Sequence, residues 1–376
     1  MKNNKLLTAI AVAARTLLGL TFIFSGFVKA VDPQGTVYKI EDYLNAFGGF
    51  FTNLVPAAPE AAILLILFEF VLGVLLFLGV WNKQCPWLAL LMMLVMTPLT
   101  LYLAIANPVT DCGCFGDAIH LSNWATFWKN VVLLVLAIAL LLTKDYLFST
   151  WRKPLDLLIF CAAFVGCSGL MAYALTHLPP IDFRPYKIGN NIPELMTVDI
   201  PEDAPMDEYE YTFIYEKNGE QREFTLDNYP KDDSIWTFVD QRSRLVKKGY
   251  EAPQPPIHDF VLTLNDEEGN VYDMTDEILE LDRVVLAIMY KLETADRKQV
   301  AKLNRLYLDA LQADVPFYAL TGSGEREIDI WRQETGAEYP ILSCDGITLK
   351  TIVRANPGVV VLSQGTVIDK YNLRNK

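Results

Sequence analysis

The sequence predicts an α-helical membrane bundle, then a small exported β-rich segment, then an α/β domain. Three observations carry this. Long apolar runs crowd the first half of the 376 residues, the acidic excess behind the net charge of −13 falls in the second half, and strand and helix patterns alternate from about residue 255 onward. The predicted boundaries are 1–178 for the bundle, 179–254 for the β-rich segment and 255–376 for the α/β domain.

Five runs, roughly 6–30, 61–81, 86–106, 124–143 and 155–177, are apolar over the approximately 20 residues that a bilayer requires. Lys2, Lys5, Lys83, Lys144, Arg152 and Lys153 lie at one end of these runs, whereas the connections 31–60 and 107–123 hold only Lys39. The positive-inside rule then sets the N-terminus in the cytoplasm and everything after residue 177 outside. A cleaved signal peptide ending near Ala11-Val12-Ala13 is the competing reading. Apolar sequence resumes after Arg15 and runs to Val28, longer than a signal core. The acidic second half repels phosphates and excludes nucleic acid as a partner there.

Two charges interrupt the spans. Arg15 and Glu69 lie at depths an arginine side chain bridges, so they are expected to share a site, either as an ion pair joining two helices or as a polar pocket for a proton, a quinone or another substrate. Arg15, Gly19, Phe22, Gly26 and Lys29 fall on one face of the first span, and Glu69 and Gly73 on one face of the second. Glycines there let helices approach closely.

Of the six cysteines, Cys161 and Cys167 lie on different faces of the fifth span and read as buried apolar side chains, and Cys85 sits at the cytoplasmic edge. Cys112, Cys114 and Cys344 fall on the disulfide-permissive side. The stretch DCGCFGD, 111–117, places two thiols one residue apart around Gly113, whose backbone freedom lets them meet. A bridge across so short a loop removes little chain entropy and would be strained, which favours redox exchange over a structural staple. Lys129 favours the thiolate; Asp111 and Asp117 oppose it. Structural and metal-binding readings stay open, the latter using Cys112, Cys114 and His120 at a spacing that matches no strong zinc signature.

RTLLGLTFIFSGFVKAVDP together with FEFVLGVLLFLGVW resembles the DoxX superfamily of bacterial membrane proteins. DCGCFGDAIHLSNWATFWKNVVLL resembles its methylamine-utilisation E (MauE) branch, with Lys129-Asn130 where that branch carries Arg-Asn. The resemblance covers about residues 6–143. It implies a four-helix inner-membrane bundle that assists disulfide formation or electron transfer for exported proteins; methylamine metabolism is not carried over.

In the exported part, EYTFIYEKNGEQREFTL alternates around Asn218-Gly219 and reads as a hairpin, and DSIWTFVDQ as a further strand. Beyond 255 come a hairpin (DFVLTLNDEEGNVYDM), a buried strand (VVLAIMY), a helix, a strand (VPFYALTG), a helix, a strand (YPILSCD), a helix and a closing hairpin (PGVVVLSQGTVIDKY). This order, with PIHDF at 256–260 and Asn356-Pro357 in place of a cis-proline, resembles the redoxin branch of the thioredoxin-like fold. That fold's C-x-x-C is absent: YKLETADRK stands there, so the domain cannot run thiol exchange alone. Cys344 reads as a buried small side chain, with a resolving thiol as the alternative.

Two functions follow. One is an inner-membrane thiol–disulfide exchange or electron-transfer protein working on an exported redox or client protein. Cys112 and Cys114 would be its reacting groups, with Lys129, Arg15 and Glu69 lining a pocket beneath them that meets a quinone, and the redoxin-like domain would dock the client. The other is a non-catalytic membrane scaffold or metal-binding accessory protein.

Overall fold

In a computed structural model, the structure describes residues 5–109, 112–147, 153–201, 203–230, 235–250, 252–266 and 269–376. Two compact units emerge, one built from residues 1–191 and 259–376 and the other from Ile192–His258.

The first unit begins with the predicted apolar helices: α1 (Lys5–Val31), then α2 (Pro33–Phe47), α3 (Ala58–Leu78), α4 (Cys85–Ala106), α5 (Asn123–Thr143) and α6 (Lys153–Thr176). Five of these segments are long and apolar enough to cross a membrane, and the chain is a membrane protein. Helix α2 is an addition, since hydropathy alone reads its residues as a connection. Its start is local chemistry: Asp32 caps it by accepting from the Gly35 amide at 3.1 Å, and Pro33 supplies a pre-set first turn. Val37, with Ile40 and Leu44 beside it, packs on Ala58 and Ala62 of α3.

Helices α1 and α3 touch backbone to backbone. A Cβ on Gly26 would stand 2.7 Å from the Phe70 amide nitrogen, and one on Gly73 2.6 Å from that of Ile23. The predicted glycine faces therefore do meet each other, and dispersion between closely apposed backbones replaces the hydrophobic driving force that lipid cannot supply. Leu18, Phe22, Leu72, Leu76, Met93 and Leu140 fill the centre of the bundle.

The second unit holds a helical turn, α7 (Ile192–Met196), and three antiparallel strands, β1 (Glu208–Lys217), β2 (Glu220–Thr225) and β3 (Thr237–Lys247), in the order β2-β1-β3. Lys217 pairs with Glu220 across Asn218-Gly219, and both turn residues have positive φ (52° and 84°), the two-residue hairpin the sequence predicts.

The chain then returns to the first unit with β4 (Thr263–Asn265), β5 (Val271–Asp273), α8 (Thr275–Glu280), β6 (Val284–Met289), α9 (Val300–Gln312), β7 (Phe317–Thr321), α10 (Glu325–Thr335), β8 (Ile341–Ser343), α11 (Gly346–Ile352), β9 (Gly358–Ser363) and β10 (Thr366–Asn372). The sheet order is β10-β9-β6-β7-β8-β4-β5. Strands β6, β7 and β8 run parallel, and β9 is antiparallel to β6 and to β10. Strand β6 is buried throughout, as a central strand covered on both faces must be. This is a thioredoxin-like arrangement, with a cis peptide at Asn356-Pro357.

The unit boundaries differ from those expected at 178 and 254. Residues 182–191 belong with the α/β sheet: Gly189 donates to the Val367 carbonyl at 2.8 Å, Arg184 to Thr351 at 3.1 Å, and Lys370 to both Asp182 and the Tyr186 carbonyl. The same domain also holds the end of α6. Asn375 donates to the Thr176 carbonyl at 3.0 Å and Asn372 to His177 at 3.3 Å, satisfying acceptors that a helix end leaves open.

Candidate functional site

The close approach of α1 and α3 brings Lys29 onto Glu69. The ammonium donates to the carboxylate at 2.6 Å in a buried ion pair, and also to Ser25, one turn earlier, at 2.9 Å. Ser25 donates its own hydroxyl hydrogen to the Cys114 carbonyl at 2.6 Å. A continuous polar chain thus runs from α3 through α1 to the loop bearing the thiols. Tyr43 of α2 holds the other cysteine through the Cys112 carbonyl.

Between these anchors the loop turns at Gly113 and Gly116, both at positive φ (61° and 51°), where a Cβ would be strained. The two sulfurs come to 2.8 Å of each other. Phe115 fills the next position, edge-on to Phe24 at 5.3 Å, with the Lys129 ammonium 4.3 Å above its ring. Beneath Cys114 lies a cavity of about 40 Å³ lined by Lys29, Glu69, Lys129, Asn130 and the methionines of α4. Asn130 is fixed from α4, donating to Thr100 at 3.2 Å.

Among the described residues, two cations and one carboxylate line this pocket and leave it a positive balance, which suits one thiolate. Cys114 is held below the ordinary thiol range, chiefly by the hydrogen bond from Cys112; Lys129 and Lys29 add to this, while burial and Glu69 oppose it. Cys112 is pushed the other way, first by its hydrogen bond with Cys114 and then by desolvation.

Cys112, Cys114, Lys129 and Glu69 are brought together as the sequence suggests; Arg15 is not among them. It stands at the other end of α3, donating to Asn82 at 3.4 Å and filling the space over Gly79, where any Cβ would run into the guanidinium. There it meets the negative end of a helix dipole, not Glu69. Lys29, which the sequence marks only as one member of a helix face, is the true partner. Its position at the end of a span makes it look like an interfacial lysine.

The expected quinone does not fit this pocket. A cavity that takes a benzene ring measures about 150 Å³, and the space beneath Cys114 is far smaller. Nor does Asp117 oppose the thiolate as expected; its carboxylate is turned to Arg354 at 3.1 Å. Asp111 lies outside the described residues. Among the described residues, no three His, Cys, Asp or Glu side chains assemble as metal ligands, so Cys112, Cys114 and His120 do not form such a set.

Cys344 is buried in the α/β domain beside Asp259 and Asp345, and its thiol is pushed up to about 12, first by burial. That favours the inert reading over a resolving role. Cys85 and Cys167 are buried in the bundle, while Cys161 is exposed on α6. Where a thioredoxin-like domain would carry C-x-x-C, Leu292 donates its amide to Ser323 at 3.0 Å and Asn356 donates to the Lys291 carbonyl at 2.8 Å, a closed hydrogen-bonded turn.

Comparison with known proteins finds two family profiles that match parts of the chain. Residues 7–143 match the family profile of methylamine utilisation protein MauE, and residues 209–248 match a domain of unknown function, DUF8463. No curated protein matches the chain. Among solved structures, a similar chain is the solution structure of a protein described as a candidate disulfide isomerase from Bacteroides thetaiotaomicron. It is 16% identical, with 31% of this chain and 77% of that one covered and a TM-score of 0.26.

Proposed function

Taking residues 7–143 as a MauE-type segment, we propose that this membrane protein exchanges disulfides with an exported partner through Cys112 and Cys114. The observation that carries the reading is the pair of sulfurs 2.8 Å apart over a buried, cation-rich pocket. A lone structural staple has no use for such a pocket, since buried charges are costly and persist where they do something. The orientation that fits is a cytoplasmic N-terminus with the thiol loop and the thioredoxin-like domain on the periplasmic side of a bacterial inner membrane.

In one direction, the Cys114 thiolate attacks one sulfur of the partner's disulfide, and the partner's other sulfur leaves as a thiolate that takes a proton. Cys112 then gives up its proton and attacks the Cys114 sulfur. The mixed disulfide breaks, the Cys112–Cys114 bond forms, and the partner departs as a dithiol with two electrons and two protons gained. The reverse sequence oxidises the partner, and a second dithiol or disulfide protein resets the pair. Lys129 and Lys29 stabilise the anion at Cys114 throughout. The thioredoxin-like domain, lacking thiols at its own active position, serves recognition.

Trapping tests this. In a Cys112→Ser variant the mixed disulfide at Cys114 has no resolving thiol and accumulates as a reducible adduct with a defined partner, whereas Cys114→Ser gives markedly less. In the unaltered chain, differential alkylation finds both oxidised and reduced pairs, in proportions that move with the cell's respiratory state. A pair oxidised under every condition, with both serine variants unimpaired, leaves only the scaffold reading.

A further inference from the structure

The face that a thioredoxin-like fold presents around its cis-proline is here turned onto the thiol loop. Arg354, two residues before Asn356-Pro357, has a side chain only 7% exposed, and two acidic partners among the described residues come from the bundle: Asp32 at 2.9 Å and Asp117 at 3.1 Å. From its own domain it takes a bond to the Lys350 carbonyl at 2.6 Å. Tyr38 of α2 completes the contact. Its ring lies 5.4 Å from the guanidinium, 4.6 Å from the Lys350 ammonium and edge-on to Tyr290 at 6.4 Å. Tyr290 opens the segment that stands where the C-x-x-C would be.

This contact is not built like a permanent one. Permanent interfaces are large, apolar and closely packed. Here the join is charged and encloses a cavity of about 150 Å³, walled by Gly113, Gly116 and Asp117 on one side and Ile347, Lys350 and Arg354 on the other. The separated carboxylates and guanidinium would each recover water, and polar joins of this kind are where domain motion is expected. The domain also keeps a second attachment, the Asn372 and Asn375 bonds to the end of α6. One contact can let go while the other holds.

We infer that Arg354 is a latch: it ties the cis-proline face of the thioredoxin-like domain over the Cys112–Cys114 loop, and its release uncovers the thiols to a protein partner. This deepens the exchange reading and rests on it for its purpose, but not for its test.

The test uses the full-length chain in lipid vesicles, chemically reduced, with a bulky maleimide and residue-by-residue readout of alkylation. Arg354→Ala and Asp117→Asn should each raise the rate at Cys112 and Cys114 at least tenfold, with Arg354→Lys in between and Cys344 still protected. The two main variants change charge in opposite senses. An effect on thiol acidity alone would slow the pair in Arg354→Ala and speed it in Asp117→Asn, and opposite responses overturn the inference. Unchanged rates in both variants also overturn it. So does a Cys344 that becomes reactive alongside the pair, because the arginine then supports the domain's fold and not its closure. If the pair never exchanges with partners in cells, the exchange reading fails, while the reduced protein still reports whether the latch exists.

Discussion

At the residue scale, the proposed exchange through the two thiols has a pH signature. Cys114 is held below the ordinary thiol range near 8.5 and Cys112 above it. As pH falls through that range, alkylation of Cys114 should keep its rate, and as pH rises, Cys112 should gain reactivity only beyond it. Mass-spectrometric alkylation profiles check both limbs; two superimposed profiles centred on the ordinary value would contradict the assignment. Replacing Lys129 by Met removes a cation from beside Cys114 and should move its profile to higher pH, slowing exchange near neutral pH by about tenfold. The ion pair separates structural from functional roles. Glu69→Gln leaves a buried ammonium unpaired and should cost on the order of 3–5 kcal/mol in unfolding experiments. A Lys29→Met, Glu69→Leu double variant should recover much of that stability, and if exchange remains lost in it, the charges serve the chemistry. Cys112, Cys114, Lys129 and Glu69 were legible as single residues because each breaks a local rule, a thiol pair in a polar loop or a charge in lipid. Which charge met which was not legible. Depth along a helix follows from counting, but the facing direction depends on how two helices pack, and Arg15 and Lys29 shared one face of α1.

At the element scale, the site depends on how near α1 and α3 come to each other. Gly73→Val sets a branched side chain against the Ile23 backbone, where even a Cβ would sit 2.6 Å away, and so forces the helices apart. It should destabilise the bundle by about 1–3 kcal/mol or more and lengthen the Lys29–Glu69 contact. Thermal unfolding in detergent measures the first, and a shifted Cys114 alkylation profile reports the second. The spans were readable within a few residues because hydropathy over 20 positions is a strong signal. Hydropathy hides helix α2 between two such runs, although Asp32-Pro33 carries a helix-start signature. Its consequence was invisible in any case: that Tyr43 and Asp32 reach the thiol loop and Arg354 follows only from tertiary packing.

At the scale of the whole molecule, the Ile192–His258 unit interrupts the chain between α6 and the sheet. Within it, the Ile257 amide donates to the Leu195 carbonyl at 3.1 Å, so its two ends lie side by side. Replacing residues 197–255 with a short glycine–serine linker should therefore leave the melting behaviour of the remainder and the alkylation of Cys112 and Cys114 unchanged; a thiol pair that becomes hyper-reactive would tie this unit to closure. The thioredoxin-like order of strands was legible because alternating buried strands and amphipathic helices leave few topologies. The role of residues 182–191 was not, since a proline-rich exit from a membrane looks like a tether until Arg184 and Asp182 are seen inside the sheet's edge.

The latch also has a place in time. Arg354 is synthesised roughly 240 residues after Asp117, which at about 5–20 residues per second amounts to on the order of 10–50 s of translation. Throughout that interval the newborn thiols stand open to any oxidant or passing protein, and each molecule must either survive the exposure or acquire its first disulfide before its lid exists.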